Sequence, residues 1–238
     1  MNRLILSITK FISPPYCVAC EHLLPEYTVL CHGCVQQLPV LAPETVACGK
    51  NTLTVHAFTA YRAPFDSMIQ AKLTSRQTPF FQLGFLLSEY LKKNNLVYDM
   101  IVPVPLHWQR RLWRGFNQAE TLAQEIALNI ARFNEKCPSP LALSERSESN
   151  GYELRDKVIR ALKRHKKTAY QSTLSAPERQ ENVKDIFALV QNISVENKRI
   201  LLVDDLYTTG ATAQAAAQEL YRHGAAQVEL LVACKVVG

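Results

Sequence analysis

The chain has 238 residues, of which 47% are hydrophobic and 20% are charged, and its formal net charge is +6. This composition is ordinary for a soluble globular protein, and the length suffices for one α/β domain with a small appendage. No apolar run approaches the roughly 20 residues that cross a bilayer, which excludes a transmembrane segment, and the excess of positive charge suits phosphate-bearing partners.

The first residues predict a short amphipathic helix. Its apolar face comprises Leu4, Ile5, Ile8, Phe11 and Ile12. Arg3 and Lys10 flank an apolar stretch that is too short for a signal-peptide core. We expect a helix that packs on the protein, and the alternative is a helix that docks on a partner or a membrane surface. The sequence therefore predicts a cytoplasmic protein without stable membrane insertion.

Four cysteines follow in two pairs, Cys17-Val-Ala-Cys20 and Cys31-His-Gly-Cys34. Two C-x-x-C pairs in a cytosolic protein are typical of a structural zinc site, because four thiolates complete a tetrahedral shell. A disulfide is the rival interpretation, and a reducing compartment disfavours it. Residues 1–50 are predicted to form the N-terminal helix and this four-cysteine zinc module. Pro39, Pro43 and the stretch as far as Thr54 are predicted to be a linker into a second domain, residues 51–238.

The middle of the chain predicts alternating strands and helices. Strands are expected at residues 55–61 and 100–106, and helices at residues 80–90 and 119–131. The loop after the second strand carries Arg110, Arg111 and Arg114, whose paired N–H groups could clamp a diphosphate. The alternative is a solvated basic loop whose tryptophans, Trp108 and Trp113, make core contacts.

A flexible insertion is predicted at residues 132–153, where Ser, Pro and charged residues prevail. A strongly basic run follows it. Its candidate DNA-binding residues are Arg160, Lys163, Arg164, Lys166 and Lys167. Such a run is usually a solvated face, but beside a phosphate site it could contact a nucleic-acid backbone.

The most informative stretch is residues 200–212. Ile200 to Val203 predict a buried parallel strand, which Asp204 and Asp205 are expected to follow. The turn Thr208-Thr209-Gly210 comes next, and a helix is predicted over residues 213–221. Such a strand–loop–helix unit surrounds an anion with backbone N–H groups and a helix N-terminus. The carboxylates suit ribose hydroxyls or a metal-bridged diphosphate.

Val203 to Thr212 resemble the motif that binds 5-phosphoribosyl-1-pyrophosphate (PRPP) in type I phosphoribosyltransferases. The whole chain resembles the ComF family, which is associated with DNA uptake in natural competence. Six matches occur in order along the chain. They are the four cysteines, Tyr61-Arg-Ala-Pro-Phe with Lys72, Val102-Pro-Val-Pro-Leu-His, Arg114-Gly-Phe-Asn-Gln118, the Arg164 to Asn182 segment, and the acidic turn, which comprises Asp204-Asp205 and Thr208-Thr209-Gly210. Many relatives carry a second set of C-x-x-C pairs, of which only Cys48-Gly49 remains here, so one zinc ion is expected.

The resemblance implies an α/β fold of the type I phosphoribosyltransferase kind, with a mostly parallel sheet flanked by helices and an N-terminal zinc ribbon. It assigns Asp204 and Asp205 to the ribose hydroxyls, as the residues that would also serve catalysis. The 5-phosphate would bind Thr208, Thr209, Gly210, Ala211 and Thr212. Arg110, Arg114 and Lys72 would face the pyrophosphate, with Mg²⁺ bridging.

Three functions remain open from the sequence. The first is a competence factor that binds a phosphoribosyl ligand and single-stranded DNA beside a helicase-like partner. The second is a metabolic phosphoribosyltransferase that acts on a nucleobase-like acceptor. The third is a regulatory protein that senses PRPP. Because the same residues serve binding and transfer equally well, the sequence does not decide whether the protein is an enzyme.

Overall fold

The computed structural model describes residues 16–24, 29–63, 65–66, 78–106, 115–134, 157–164 and 186–237. The helices are α1 (His32–Gln36), α2 (Thr78–Lys93), α3 (Gln118–Asn134) and α4 (Ala211–Arg222). The strands are β1 (Glu44–Cys48), β2 (Asn51–Ala60), β3 (Met100–Pro103), β4 (Leu162–Arg164), β5 (Phe187–Leu189), β6 (Arg199–Tyr207) and β7 (Gln227–Lys235).

Five strands form one sheet in the order β1-β2-β7-β6-β3. Strands β2, β7, β6 and β3 run parallel to one another, and β1 pairs with β2 in the antiparallel direction. Residues Ile200 to Val203 of β6 are at most 1% exposed. A parallel strand that is covered on both faces needs such a continuous apolar run. The predicted α/β fold with a mostly parallel sheet is confirmed.

Helices cover both faces of the sheet. On one face, Phe80 and Leu83 of α2 pack with Leu122 and Ile126 of α3. On the other face, the alanine-rich side of α4 packs beside the β4–β5 pair. The small side chains of α4 let its backbone lie close to the sheet, so the segment from β6 to β7 forms a tightly packed β–α–β unit.

Two expectations about local structure were wrong. Residues 44–48, predicted to be part of a linker, form the edge strand β1, because Glu44 to Cys48 pair with Asn51 to Val55. Strand β6 does not end before the acids but continues through Asp204 and Asp205 to Tyr207, paired with β7. Long-range pairing with β7 extends the strand beyond the apolar run that marks it in the sequence.

The cysteine-bearing segment shares the core of the main sheet. Cys17 and Leu30 are each 1% exposed and pack in the same cluster as α2. The side chain of Gln82 accepts hydrogen bonds from the N–H groups of Val29 (2.8 Å) and Leu30 (3.0 Å), and it donates one to the Leu30 carbonyl (2.7 Å). These contacts fix the backbone just before Cys31. The domain boundary at residue 50 stays a prediction.

Cys48 lies away from this segment. It is 1% exposed, and its thiol donates to the Gln214 carbonyl of α4 at 3.5 Å. Cys234 is also buried, as the sequence predicts for a core thiol in a strand. Residues 132–134 of the predicted insertion belong to α3, and the remainder of that insertion lies outside the described residues.

Candidate ligand-binding turn and metal centre

The carboxyl ends of β6 and β3 lie side by side. Pro103 is opposite Val203 in the parallel register, and the N–H of Val104 donates to the Val203 carbonyl at 2.9 Å. The chain that leaves β3 therefore starts one residue from Asp204. Carboxyl ends of central parallel strands are where open α/β sheets bind ligands.

Asp204 and Asp205 are both half-buried at this edge. The Oδ1 atom of Asp204 accepts a hydrogen bond from the N–H of Asp205 at 2.9 Å. This bond fixes the orientation of the Asp204 carboxylate. Because the side chains of adjacent strand residues project to opposite sides, the two carboxylates offer acceptors on both sides of the strand end.

The turn Thr208-Thr209-Gly210 connects β6 directly to α4. Thr208 and Thr209 are exposed, while Ala211 and Thr212 are half-buried. Gly210 has a φ of +76° at the N-cap position, and its carbonyl accepts from the N–H of Gln214 at 2.8 Å. The first N–H groups of α4 thus point toward the turn, where a helix N-terminus favours an anion.

A small cavity of about 50 Å³ lies between the strand end and the turn. The predicted ligand residues that line it are Asp204, Thr208, Gly210 and Thr212, and Tyr207 lines it as well. The fold therefore brings an acid, two hydroxyls and the turn backbone into one concave space. Sequence reasoning passed over Tyr207, whose position beneath the turn depends on packing against β7 and α4.

The predicted pyrophosphate residues Lys72, Arg110 and Arg114 lie outside the described residues. The described ends of the arginine loop are fixed at the same edge of the sheet as Asp204. The Nδ2 atom of Asn117 donates to the Val104 carbonyl at 3.2 Å, which joins the two ends of the loop. Phe116 packs edge-to-face on Phe80 with ring centroids 5.8 Å apart.

The four cysteines Cys17, Cys20, Cys31 and Cys34 form a cluster in which all sulfur atoms lie within 4.8 Å of one another. Zinc–thiolate bonds of about 2.3 Å in a tetrahedron place the sulfurs about 3.8 Å apart. The Cys20 and Cys31 sulfurs are 3.7 Å apart. The four cysteines could therefore hold a metal ion, and their geometry fits tetrahedral coordination.

Electrostatics within the cluster favour a thiolate at Cys17. Burial by itself raises the pKa of Cys17, but backbone N–H donors, led by that of Cys31, lower it to about 6. The Cys31 N–H lies 3.4 Å from the Cys17 sulfur. The neighbouring sulfurs of Cys20 and Cys31 raise the pKa of Cys34 to about 12. A bound cation would relieve the electrostatic repulsion among the four thiolates. Metal binding would therefore release protons from the thiols.

The candidate DNA-binding residues fall into different environments. Arg160 forms an ion pair with Glu120 of α3, and Lys163 is exposed on β4. Arg164 lies over the Phe187 ring, with its guanidinium carbon 5.8 Å from the ring centroid. Lys166 and Lys167 lie outside the described residues. Within the described ranges, no helix is long and apolar enough to span a membrane.

Comparisons with known proteins agree with this architecture. A family model described as a phosphoribosyl transferase domain matches residues 116–236, which include the acidic turn. The DNA utilization protein YhgH of Salmonella typhimurium is 30% identical over 236 residues, which covers 93% of this chain and 90% of that protein. The chain belongs to the ComF family of phosphoribosyl transferase domain proteins.

Other relatives of this ComF-family chain have related names. Competence protein F of Haemophilus influenzae is 27% identical over 225 residues, covering 91% of this chain and 82% of that protein. The DNA utilization protein YhgH of Escherichia coli K12 is 36% identical over 142 residues, covering 58% of this chain. That match spans 50% of the length of the Escherichia coli protein. The resemblance deduced from the sequence is confirmed.

Proposed function

We propose that this protein binds PRPP or a related phosphoribosyl ligand at the carboxyl end of β6 and acts in the uptake or use of DNA. The observation that carries the proposal is the shared cavity of Asp204, Thr208, Gly210 and Thr212 at the N-terminus of α4. The phosphoribosyl transferase family of the domain supports the ligand class. The names of the relatives, which refer to competence and DNA utilization, support the cellular role.

Each part of the ligand has a matching set of groups. The N–H groups and hydroxyls of residues 208–212 would bind the 5-phosphate, because a helix N-terminus favours a dianion. Asp204 and Asp205 would accept hydrogen bonds from the ribose hydroxyls. Lys72, Arg110 and Arg114 are assigned to the pyrophosphate from the sequence. Mg²⁺, when bound with the ligand, would neutralise part of the pyrophosphate charge.

The cysteine cluster is assigned to one structural zinc ion. Four thiolates fill a tetrahedral shell and leave no position for a substrate. Zinc would tie the segment before Leu24 to the segment after Leu30, both of which pack on α2. Elemental analysis of reduced protein should find one zinc ion per chain, and Cys34→Ser should lose it. Protein that retains no zinc when purified under reducing conditions would overturn the assignment.

Titration calorimetry with PRPP and Mg²⁺ tests the ligand site. Asp204→Asn and Asp205→Asn should each weaken binding by about tenfold or more, since hydrogen bonds to a charged acceptor contribute about 1.5–3 kcal/mol. The matched control is Glu196→Gln, an exposed carboxylate in the turn that precedes the opposite end of β6. Unchanged affinity in both aspartate variants would refute the assigned site.

We also propose that the protein binds single-stranded DNA in the cytoplasm, through its basic residues and beside a helicase-like partner. Lys163→Glu should weaken retardation of a single-stranded oligonucleotide, and wild-type binding should fall steeply with salt because phosphate contacts release counterions. Lys198→Glu, an exposed lysine directly before the amino end of β6, is the control. The DNA proposal fails if the wild-type protein retards no DNA at low salt.

Catalytic transfer of a phosphoribosyl group is a second candidate function, because the matched domain is described as a phosphoribosyl transferase. The site would then stabilise the positive charge that develops on the ribose and the departing pyrophosphate, with little need for a protein nucleophile. Incubation of PRPP and Mg²⁺ with nucleobases, followed by measurement of pyrophosphate, tests this candidate. PRPP binding without any pyrophosphate release would favour a binding or sensing protein instead.

A further inference from the structure

Tyr207 is the last residue of β6 and lies directly beneath the candidate phosphate turn. Its side chain is 7% exposed, and its carbonyl accepts a hydrogen bond from the N–H of Val236 at 2.9 Å. The backbone at the start of the turn is thereby fixed to the strand that follows β7. Tyr207 is a bulky side chain that points into the fold while its neighbours Thr208 and Thr209 are exposed.

The ring of Tyr207 is in close contact with Gly210. A Cβ atom added to Gly210 would lie 2.3 Å from the Tyr207 hydroxyl oxygen and 2.7 Å from its Cζ atom. The phenol therefore occupies the space on the inner side of the turn. Gly210 has no Cβ atom, so it can adopt its φ of +76° and also leave room for the Tyr207 ring.

Contacts on the remaining sides of the ring hold it in place. The Nζ atom of Lys235 lies 5.8 Å from the ring centroid, and the same ammonium forms an ion pair with Glu44 of β1. Burial raises the pKa of Tyr207, and the charge of Glu44 adds to this effect, so the hydroxyl keeps its proton at neutral pH. A hydrogen bond with the Gln214 side chain, in the first turn of α4, acts in the opposite direction.

We propose that Tyr207 is a positioning residue that holds the Thr208–Gly210 turn in the conformation that binds the phosphate of the ligand. This inference rests on the proposed function, because it concerns the affinity of the same site. The ring packs against the inner side of the turn and holds its backbone in place. The N–H groups at the start of α4 therefore converge on one anion, and the turn does not have to reorganise when the ligand binds. The chain of contacts from Glu44 through Lys235 ties this support to the edge of the sheet.

Ribose 5-phosphate is the probe, because it carries the phosphate and the ribose without the pyrophosphate. Tyr207→Leu should weaken its binding by about tenfold or more, because a turn that is no longer pre-organised must be ordered on binding. Tyr207→Phe keeps the ring and should stay within about threefold of wild type. The affinities are measured by titration calorimetry, and thermal unfolding of each variant is recorded in parallel.

The matched control is Tyr221→Leu at the other end of α4. Tyr221 is also packed in the fold, since its hydroxyl donates to the Thr52 carbonyl at 2.8 Å and accepts from the Val228 N–H at 2.9 Å. It should lower the melting temperature while leaving the affinity for ribose 5-phosphate unchanged. Equal affinity losses in Tyr207→Leu and Tyr221→Leu, or no loss in Tyr207→Leu, would overturn the inference. Absence of binding by the wild-type protein would instead refute the proposed ligand site.

Discussion

Replacement of Gly210 by alanine isolates the contact between the turn and Tyr207. At a φ of +76°, a residue with a Cβ atom costs about 1–2 kcal/mol. The added Cβ would also lie 2.3 Å from the Tyr207 hydroxyl oxygen. Because the Tyr207 ring is buried, it cannot easily move away from the added atom. Overpacking of this kind costs about 1–3 kcal/mol, so we expect a total loss of about 2–5 kcal/mol in the free energy of unfolding.

Gly224→Ala separates the two contributions. Gly224 has a φ of +86°, but the nearest atom to an added Cβ is Glu196 Cγ at 3.3 Å, on an exposed side chain that can yield. We expect only the backbone cost of about 1–2 kcal/mol there. Urea denaturation at equilibrium, with equal m-values for all variants, measures both losses.

The difference between the two alanine variants is the effect of the Tyr207 contact. Equal losses for Gly210→Ala and Gly224→Ala would refute the reasoning. A double-mutant cycle gives a second measurement, because the smaller leucine of Tyr207→Leu makes room for the new Cβ atom. The Gly210→Ala loss should then shrink by about 1 kcal/mol or more, as coupled neighbours do. Additive losses would show that the ring and the turn are energetically independent.

Two further predictions concern the stability of the frame around the site. Gln82→Ala should lower the free energy of unfolding by about 1–3 kcal/mol, because the backbone groups of Val29 and Leu30 lose their partners, whereas Gln124→Ala on the exposed side of α3 should have little effect in the same urea assay. The hydrogen bonds from Arg199 lower the pKa of Asp99 to about 2 in the folded state. The stability that this pair provides is fully present above the unfolded pKa of about 3.9 and is lost as the pH falls toward 2, so the melting temperature of Asp99→Asn should fall less steeply than that of wild type between about pH 4 and pH 2. An equally steep fall of the melting temperature with pH in wild type and Asp99→Asn would contradict the role of the pair.

Much of the fold could be predicted because the informative patterns are local. The run Ile200 to Val203 predicts a buried parallel strand from its own residues, since a strand covered on both faces has no polar alternation. The alanine-rich segment after Gly210 likewise predicts a helix from its own residues, because alanine has the highest helix propensity. The order of these elements limits the topology to a parallel sheet with helical connections.

Edge structure was harder to predict. Residues 44–48 form only a five-residue strand between Pro43 and Gly49, and it exists because these residues pair with β2 along its edge. Likewise, β6 continues through its two acids because β7 pairs with Asp204 and Tyr207. Pairing energy from a distant strand outweighed the local preference for a loop, and such energy leaves no trace in the local sequence.

The sequence by itself determined the chemical groups of the site: two acids, a hydroxyl-rich turn, and four cysteines with metal-ligand spacing. Because the members of each group lie close together along the chain, the sequence indicates which residues belong to the same site. Only the tertiary structure decided what supports them. Gln82 holds the backbone before Cys31 across 52 residues of sequence, and Lys235 approaches Tyr207 from a neighbouring strand. Packing brings such partners together by their shape and proximity in the folded chain. The spacing of residues along the sequence does not encode these two contacts.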